Sequence, residues 1–205
     1  NKNDEASPIM EIKFNRGNIY KQKVTNMARV ISEIGYDVTN RPPTIVGICE
    51  VENRKVVEDL IADEKLSKYN YGIVHYDSPD RRGIDVGLLY NKDIFKVINS
   101  NSHVLYINYN NTSDRSFTRD QLVVSGKLDG ELIHLIVNHW PSRGADETKR
   151  MAAAEVNNSI IDSLRKIHNN PKIITMGDFN DDPYDKSIKN ILGAVSYTHL
   201  RAHET

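Results

Sequence analysis

Gln121–His139, QLVVSGKLDGELIHLIVNH, reads as a β-hairpin in which the runs Gln121 to Leu128 and Leu132 to His139 are joined at Asp129-Gly130. An Asp-Gly pair between apolar runs favours a tight turn with positive φ at both central residues, a geometry that matches the twist of paired strands. The second run is apolar almost throughout and delivers Asn138-His139 at its end. Beyond it, Ala153, Val156, Ile160, Leu164 and Ile167 form one stripe, so a long helix is expected from about Asp146 to His168. Lys172 to Met176 reads as a buried strand running into Gly177-Asp178-Phe179-Asn180, and Asp185 to Leu192 as a short helix.

Before the hairpin, strands are expected at Tyr71 to Tyr76, Asp85 to Tyr90, Phe95 to Ile98 and His103 to Ile107. Thr44 to Cys49 is short and continuously apolar, as a strand covered on both faces is, and it ends at Glu50. Asn53 then caps a helix over about Arg54 to Glu64. From Tyr20 to Ile34 the residues Val24, Met27, Ile31 and Ile34 step by three and four, with Gly35 as the stop of an amphipathic helix. Strands alternating with helices early and pairing as a hairpin later imply a mixed sheet, or two packed sheets with helices outside.

The 205 residues suit one large α/β domain, and 39% hydrophobic with 27% charged residues excludes a disordered or collagen-like chain. No apolar run is long enough to span a membrane. Lys+Arg 27 against Asp+Glu 28 gives no overall pull toward nucleic acid or anionic lipid, so any phosphate affinity must be local. Cys49 is the only cysteine, which excludes an internal disulfide and leaves the compartment open. The start, Asn-Lys-Asn-Asp-Glu-Ala, is not a signal peptide and reads as an internal segment. The polar tail Val195 to Thr205 lacks periodicity, and with permitted codons it back-translates into a transposon end plus adapter of sequencing-library chemistry. Residues 1–194 are therefore taken as one partial domain and 195–205 as a translated adapter, with no metal role for His199 and His203.

Three strands end in polar groups: Glu50, Asn138-His139, and Asp178 with Asn180. Strand ends are where α/β folds build sites. A single acid there is commonly a cap and a single histidine commonly structural, but three such ends together point to chemistry. Carboxylates such as Glu50 and Asp178 suit a hard cation, Mg²⁺ or Mn²⁺. Cleaving a phosphodiester needs a nucleophilic water, charge relief on the phosphoryl oxygens and a stabilised leaving oxygen. Asp178 would orient or deprotonate the water, Asn180 would hold it or donate to the phosphoryl group, and His139 would donate to the phosphate. Arg119 and Arg143 are the candidates for phosphate contacts. Cys49 is read as a small hydrophobe and Trp140 as either a core cap or a base-stacking ring, while Tyr106, Tyr109 and Asn110-Asn111 could form a substrate-facing insertion.

Ile48-Cys49-Glu50-Val51-Glu52-Asn53, Ser78-Pro79-Asp80-Arg81-Arg82-Gly83-Ile84-Asp85-Val86, Thr118-Arg119-Asp120, Val137-Asn138-His139-Trp140-Pro141-Ser142-Arg143 and Met176-Gly177-Asp178-Phe179-Asn180-Asp181 together resemble the endonuclease/exonuclease/phosphatase family, whose superfamily includes the DNase I-like nucleases. The resemblance covers about Asn3 to Leu192. It implies a four-layer α/β/β/α sandwich of two mixed sheets flanked by helices, incomplete at both ends, with one divalent-metal site. By the same resemblance Glu50 is the metal-binding glutamate, His139 faces the phosphate, Asp178 and Asn180 are the GDFN pair, with Asp178 also a metal ligand, and Arg119 contacts phosphate. Asp85 is placed to hydrogen-bond His139, fixing its tautomer and raising its pKa, or instead to pair with Arg81 or Arg82. The family's upstream metal-binding asparagine and closing Ser-Asp-His segment are not found here, so a stretch of unpaired sheet edge is expected and this piece is expected to be inactive. The full parent is expected to be a monomeric phosphodiester hydrolase, most simply an endonuclease or exonuclease acting on nucleic acid. Alternatives are a phosphatase, a phospholipid or small-molecule phosphodiesterase, or a noncatalytic binding module.

Overall fold

The computed structural model describes residues 8–108 and 115–194, with side chains from residue 16 onward. Tyr109, Asn110, Asn111 and the tail from Val195 lie outside the described residues. The elements are α1 (Pro8–Glu33), α2 (Tyr36–Thr39), β1 (Ile45–Val51), α3 (Arg54–Ala62), β2 (Tyr71–His75), β3 (Asp85–Asn91), β4 (Phe95–His103), β5 (Ile107–Asn108), β6 (Arg115–Ser116), β7 (Gln121–Leu128), β8 (Glu131–His139), α4 (Glu147–Ile167) and β9 (Lys172–Asp178). A short π turn, Ser187–Ile191, closes the described chain.

Two sheets form, ordered β1-β3-β2 and β4-β7-β8-β9, beside a small β5-β6 pair. The second is mixed, since β8 and β9 run parallel while its other pairs are antiparallel. The first is antiparallel throughout among the described residues, so only one of the two sheets is mixed. Strand alternation explains the layers. Val74, Val86 and Leu88 of one sheet meet Phe95, Leu122, Val124, Leu135 and Val137 of the other in a buried inter-sheet core. On the outer face of the first sheet, Leu89 and Tyr71 pack with Ala28 and Ile31 of α1 and Val57 and Leu60 of α3. On the outer face of the second, Val123 and Ile136 pack with Ile160 of α4. This is the helix, sheet, sheet, helix sandwich expected from the sequence.

The turn at Asp129-Gly130 has φ of 50° and 85°, as its sequence demands. Asn53 caps α3 by accepting from the Val56 N–H, and Asp146 caps α4 by accepting from the Thr148 N–H. Several boundaries differ. Helix α1 begins at Pro8 rather than Tyr20. Val24 and Ile31 lie on the packed face as expected, but Ala28 is buried there in place of Met27, and Met27 and Ile34 are about half exposed. The expected strand 95–98 runs on to His103, because a β-bulge between Val97 and Asn99 turns Ile98 outward and lets the polar Asn99–Ser102 segment keep pairing with β7, while of the expected strand 103–107 only His103, at the end of β4, and Ile107, in β5, lie in strands. Strand β1 is covered on both faces as expected, by Ile45 and Cys49 in the inter-sheet core and Val46 and Ile48 in the helix-side core, whereas on β9 Ile174 is 50% exposed.

His103 on β4 and His134 on β8 both have pKa values lowered by burial. Each binds its proton more readily in the unfolded chain, so stability rises with pH across this window. Tm is expected to fall as pH drops from about 7 to about 5.5, below the ordinary histidine pKa of about 6.5. Calorimetric scans against pH check this; a Tm that holds or rises on acidification contradicts it.

Candidate active site

The strand directions bring the C-terminal ends of β1, β2, β8 and β9 to one rim, together with the N-terminal ends of β3 and β7. In the parallel register of β8 and β9, His139 lies opposite Asp178. Both share strand parity with Val137 and Met176, which belong to the inter-sheet core, so they leave the sheet on the inter-sheet side. His139 Nε2 is 3.7 Å from Asp178 Oδ2; the histidine is buried and the aspartate side chain is 53% exposed.

Glu50 sits in a β-bulge of β1, between Cys49 paired with Val86 and Val51 paired with Asp85, and has φ 59°. The bulge is visible in the packing: Cys49 joins the inter-sheet core and Val51 the helix-side core, although alternation would put both on one face. Glu50 is the residue taken out of register, and it is exposed. A non-glycine residue at positive φ is the kind of local strain found at functional positions.

The loop after β9 is tightly tied. Asp178 Oδ1 accepts from the Asn180 N–H at 2.9 Å, and Asn180 has φ 53°. The Asn180 side chain donates to the Trp140 carbonyl at 3.0 Å, so its amide N–H is partly committed and its carbonyl oxygen is the end left for water. Gly177 has φ 126°, and a Cβ there would lie 2.0 Å from the Asn138 carbonyl oxygen, so only glycine lets β9 approach β8 closely enough to set Asp178 beside His139.

Arg119 is buried. It donates to the Trp140 carbonyl at 2.5 Å and to Asp80 Oδ2 at 3.1 Å. The His139 pKa is lowered, first by burial and then by the Arg119 cation, while the carboxylates of Asp178 and Glu50 oppose the shift without reversing it. His139 is therefore neutral near pH 7, able to donate one N–H. Glu50, His139, Asp178, Asn180 and Arg119 are thus gathered on one rim.

Asp85 is not part of that group. It shares the parity of Leu89, on the helix side of its sheet, and its carboxylate accepts from Ser78 N–H (2.8 Å) and Ser78 Oγ (2.6 Å) and lies 3.1 Å from His75 Nε2. Neither His139 nor Arg81 nor Arg82 is its hydrogen-bond partner, and His139 Nδ1 is buried without one among the described residues. The expected Asp85–His139 contact is therefore replaced by Asp85–His75, because one residue of strand alternation separates the two faces. Arg143 is also reassigned: its guanidinium binds Asp182 (2.7 Å), Asp185 (2.6 Å) and the Asn180 carbonyl (3.2 Å), bracing the loop rather than facing the rim unengaged.

Asn138 is structural. Its Oδ1 accepts from Trp140 Nε1 and Asn157 Nδ2, and its Nδ2 donates to Thr175 Oγ1. Trp140 is fully buried edge-on to Phe179, with ring centroids 4.9 Å apart, so it is a core residue and not a stacking platform. Cys49 packs in the inter-sheet core with its thiol pKa raised by burial. Sequence reasoning missed Arg150 and Asn157, which stand on the buried face of α4, and Asp80, which organises Arg119. The polar Arg150 and Asn157 standing at core-stripe spacing with Ala153 and Ile160 were the available signal.

Glu50 and Asp178 offer carboxylate oxygens, the donors that Mg²⁺ and Mn²⁺ take, and Mg²⁺ commonly binds through one or two carboxylates while keeping water. Their exposure at a shared rim fits such an ion. The one group of three metal-capable side chains among the described residues is elsewhere, at His75, Asp77 and Asp85, with ligand atoms within 4.8 Å of one another.

Solved structures share this fold at low identity. A mannosyl-6-phosphatase from Bacteroides thetaiotaomicron aligns with TM-score 0.62 at 16% identity, covering 87% of this chain and 64% of its own. The human nocturnin catalytic domain with bound sulfate aligns at 0.55 and 19%, covering 82% and 60%. D. rerio TDP2 complexed with a single-strand DNA product aligns at 0.52 and 19%, covering 80% and 56%. The chain thus spans less than two thirds of the length of each. No curated protein matches it. A family model matches residues 1–204, and the chain belongs to the endonuclease/exonuclease/phosphatase family.

Proposed function

We propose that the protein of which this chain is part hydrolyses a phosphodiester by attack of an activated water, with a divalent cation as cofactor. The observation that carries this is the juxtaposition of His139 and Asp178 in register, beside the bulged Glu50 and under the Arg119 cation. When bound, Mg²⁺ or Mn²⁺ held by Glu50 and Asp178 would supply charge neutralisation at the phosphoryl oxygens and a more acidic water. Asp178 accepts a hydrogen bond from the attacking water and orients it. Asn180, fixed through Trp140, holds that water with its free carbonyl oxygen. His139, kept neutral by burial, donates its N–H to a nonbridging or leaving oxygen. Arg119 stabilises the charge that builds up on the phosphoryl group.

A phosphatase is the alternative reading. Among the structural neighbours both types occur: one is a mannosyl-6-phosphatase and another holds a DNA product. The test is release of 4-nitrophenol from bis(4-nitrophenyl) phosphate and from 4-nitrophenyl phosphate, with Mg²⁺, Mn²⁺ or EDTA. Metal-dependent turnover of the diester above the monoester is expected. Turnover of the monoester alone would make the protein a phosphatase, and no metal-dependent turnover of either ester or of single-stranded DNA would make it a binding module.

A further inference from the structure

Toward the end of the second sheet away from the rim, three positions stand in one row across neighbouring strands: Asn99 of β4 pairs with Ser125 of β7, which pairs with His134 of β8. Val123 and Ile136 share strand parity with Ser125 and His134 and pack against Ile160 of α4, so the row lies on the helix side of the sheet, where an apolar floor is the usual choice. Here the floor is polar. It underlies a cleft of about 450 Å³ between the sheet and the last turns of α4, with Leu164 and Ile167 on the helix wall and Ile98 exposed on the strand side. His134 is 1% exposed. Ser125 Oγ lies 2.7 Å from its Nδ1, while its Nε2 is buried with no hydrogen-bond partner among the described residues. A hydroxyl donating to Nδ1 leaves the ring proton on Nε2, a buried donor that lacks an acceptor.

Three imidazoles line the cleft, those of His103, His134 and His168, and among the described residues no carboxylate does. His168, which ends α4, lies against His134 with ring centroids 4.8 Å apart. On the far side of that pair a second cleft, of about 340 Å³, has its carboxylate, Glu131, bound by Lys172. Asp120 is the acid that faces His103. We infer that the larger cleft binds a small organic carboxylate with an apolar body. The carboxylate accepts from His134 Nε2 and from the Asn99 and Asn101 side chains, and the aliphatic or aromatic body lies on Leu164 and Ile167. Burial and the neighbouring His168 hold His134 below its ordinary pKa in the empty cleft. A bound anion favours the protonated ring, so binding takes up a proton and strengthens as pH falls. His134 is five residues from His139 on β8, about 17 Å along the strand and on the opposite face. The site is therefore separate from the rim and stands whether or not the phosphodiesterase reading does.

The probe is octanoate, with octanol and octylamine as its neutral and cationic counterparts, each titrated calorimetrically into the protein of which this chain is part. Saturable binding of octanoate at one site is expected, about tenfold or more tighter than either counterpart. Octanoate should bind more tightly at about pH 6 than at about pH 8, on either side of the ordinary histidine pKa, while octanol shows no such change. Ile167 is exposed, so Ile167→Glu sets a carboxylate at the cleft without touching the core. It should weaken octanoate by about tenfold or more and leave octylamine no weaker, whereas Ile167→Lys retains octanoate. His134→Leu should reduce octanoate to the affinity of octanol. A thermal melt verifies that each variant is folded, and the two Ile167 variants decide the matter if His134→Leu does not fold. Equal binding of the three probes overturns the inference, as does octanoate affinity unmoved in Ile167→Glu. So does a concentration-dependent dimer that Ile167→Glu dissolves while octanoate fails to bind, because the cleft is then a contact between copies of the chain.

Discussion

In the protein of which this chain is part, Asp178→Asn should lower diester turnover by about 10³-fold or more while shifting Tm by no more than about 2 °C. Asparagine keeps an oxygen that can accept the Asn180 N–H now bound at 2.9 Å, so the loop geometry survives. What disappears is the negative charge beside His139 and the carboxylate proposed for water and metal. The side chain is 53% exposed and supports no core contact, hence the small thermal effect. Initial rates on bis(4-nitrophenyl) phosphate, with a calorimetric melt of the same sample, check both halves. Retained turnover would remove Asp178 from the chemistry, and a large fall in Tm would make it structural.

Arg150→Ala should cost about 3–5 kcal/mol and lower Tm by about 10 °C or more, the largest stability effect expected from a single polar substitution here. Arg150 Nε binds Asp181 Oδ1 at 2.6 Å, with side chains only 8% and 2% exposed, and the same guanidinium donates to the Ser142 and Ala145 carbonyls at 3.0 and 3.1 Å. Asp181 also accepts from Ser187 Oγ at 2.6 Å. Truncating the arginine leaves a buried carboxylate without its cation and two carbonyls without their donor. In a double-mutant cycle with Asp181→Ala, the pair of substitutions should cost less than the sum of the two single changes. Additive costs would show that the ion pair contributes no coupling. Because Asp181 follows the Asp178–Asn180 loop directly, the Arg150→Ala enzyme should lose activity at temperatures well below its melt.

The elements that carried strong local signals were legible in the sequence: the Asp129-Gly130 hairpin, the Asn53 cap, the Gly35 stop and the strand ends bearing Glu50, His139 and Asp178. Each depends on residues adjacent in the chain or on a regular period. What escaped depends on counting across strands. The bulge between Cys49 and Val51 adds one residue and reverses the face of Val51, and the bulge between Val97 and Asn99 breaks the alternation that would have carried β4 on to His103. Asp85 failed as a partner for His139 for the same reason, since a one-residue change of parity places it against His75 instead. Arg150 with Asp181, and Arg119 with Asp80, are joined across 31 and 39 residues of chain, and no local pattern announces such pairs.

The left-handed conformation of Glu50, at φ 59°, makes this position one where thermal tolerance and catalysis rank substitutions in opposite orders. Glycine adopts that backbone without the penalty a side chain carries, so Glu50→Gly would relieve about 1 kcal/mol of strain while deleting the carboxylate. A library selected for heat resistance alone would drift toward glycine there and lose its proposed metal ligand. Selection for turnover would hold the glutamate against that pressure.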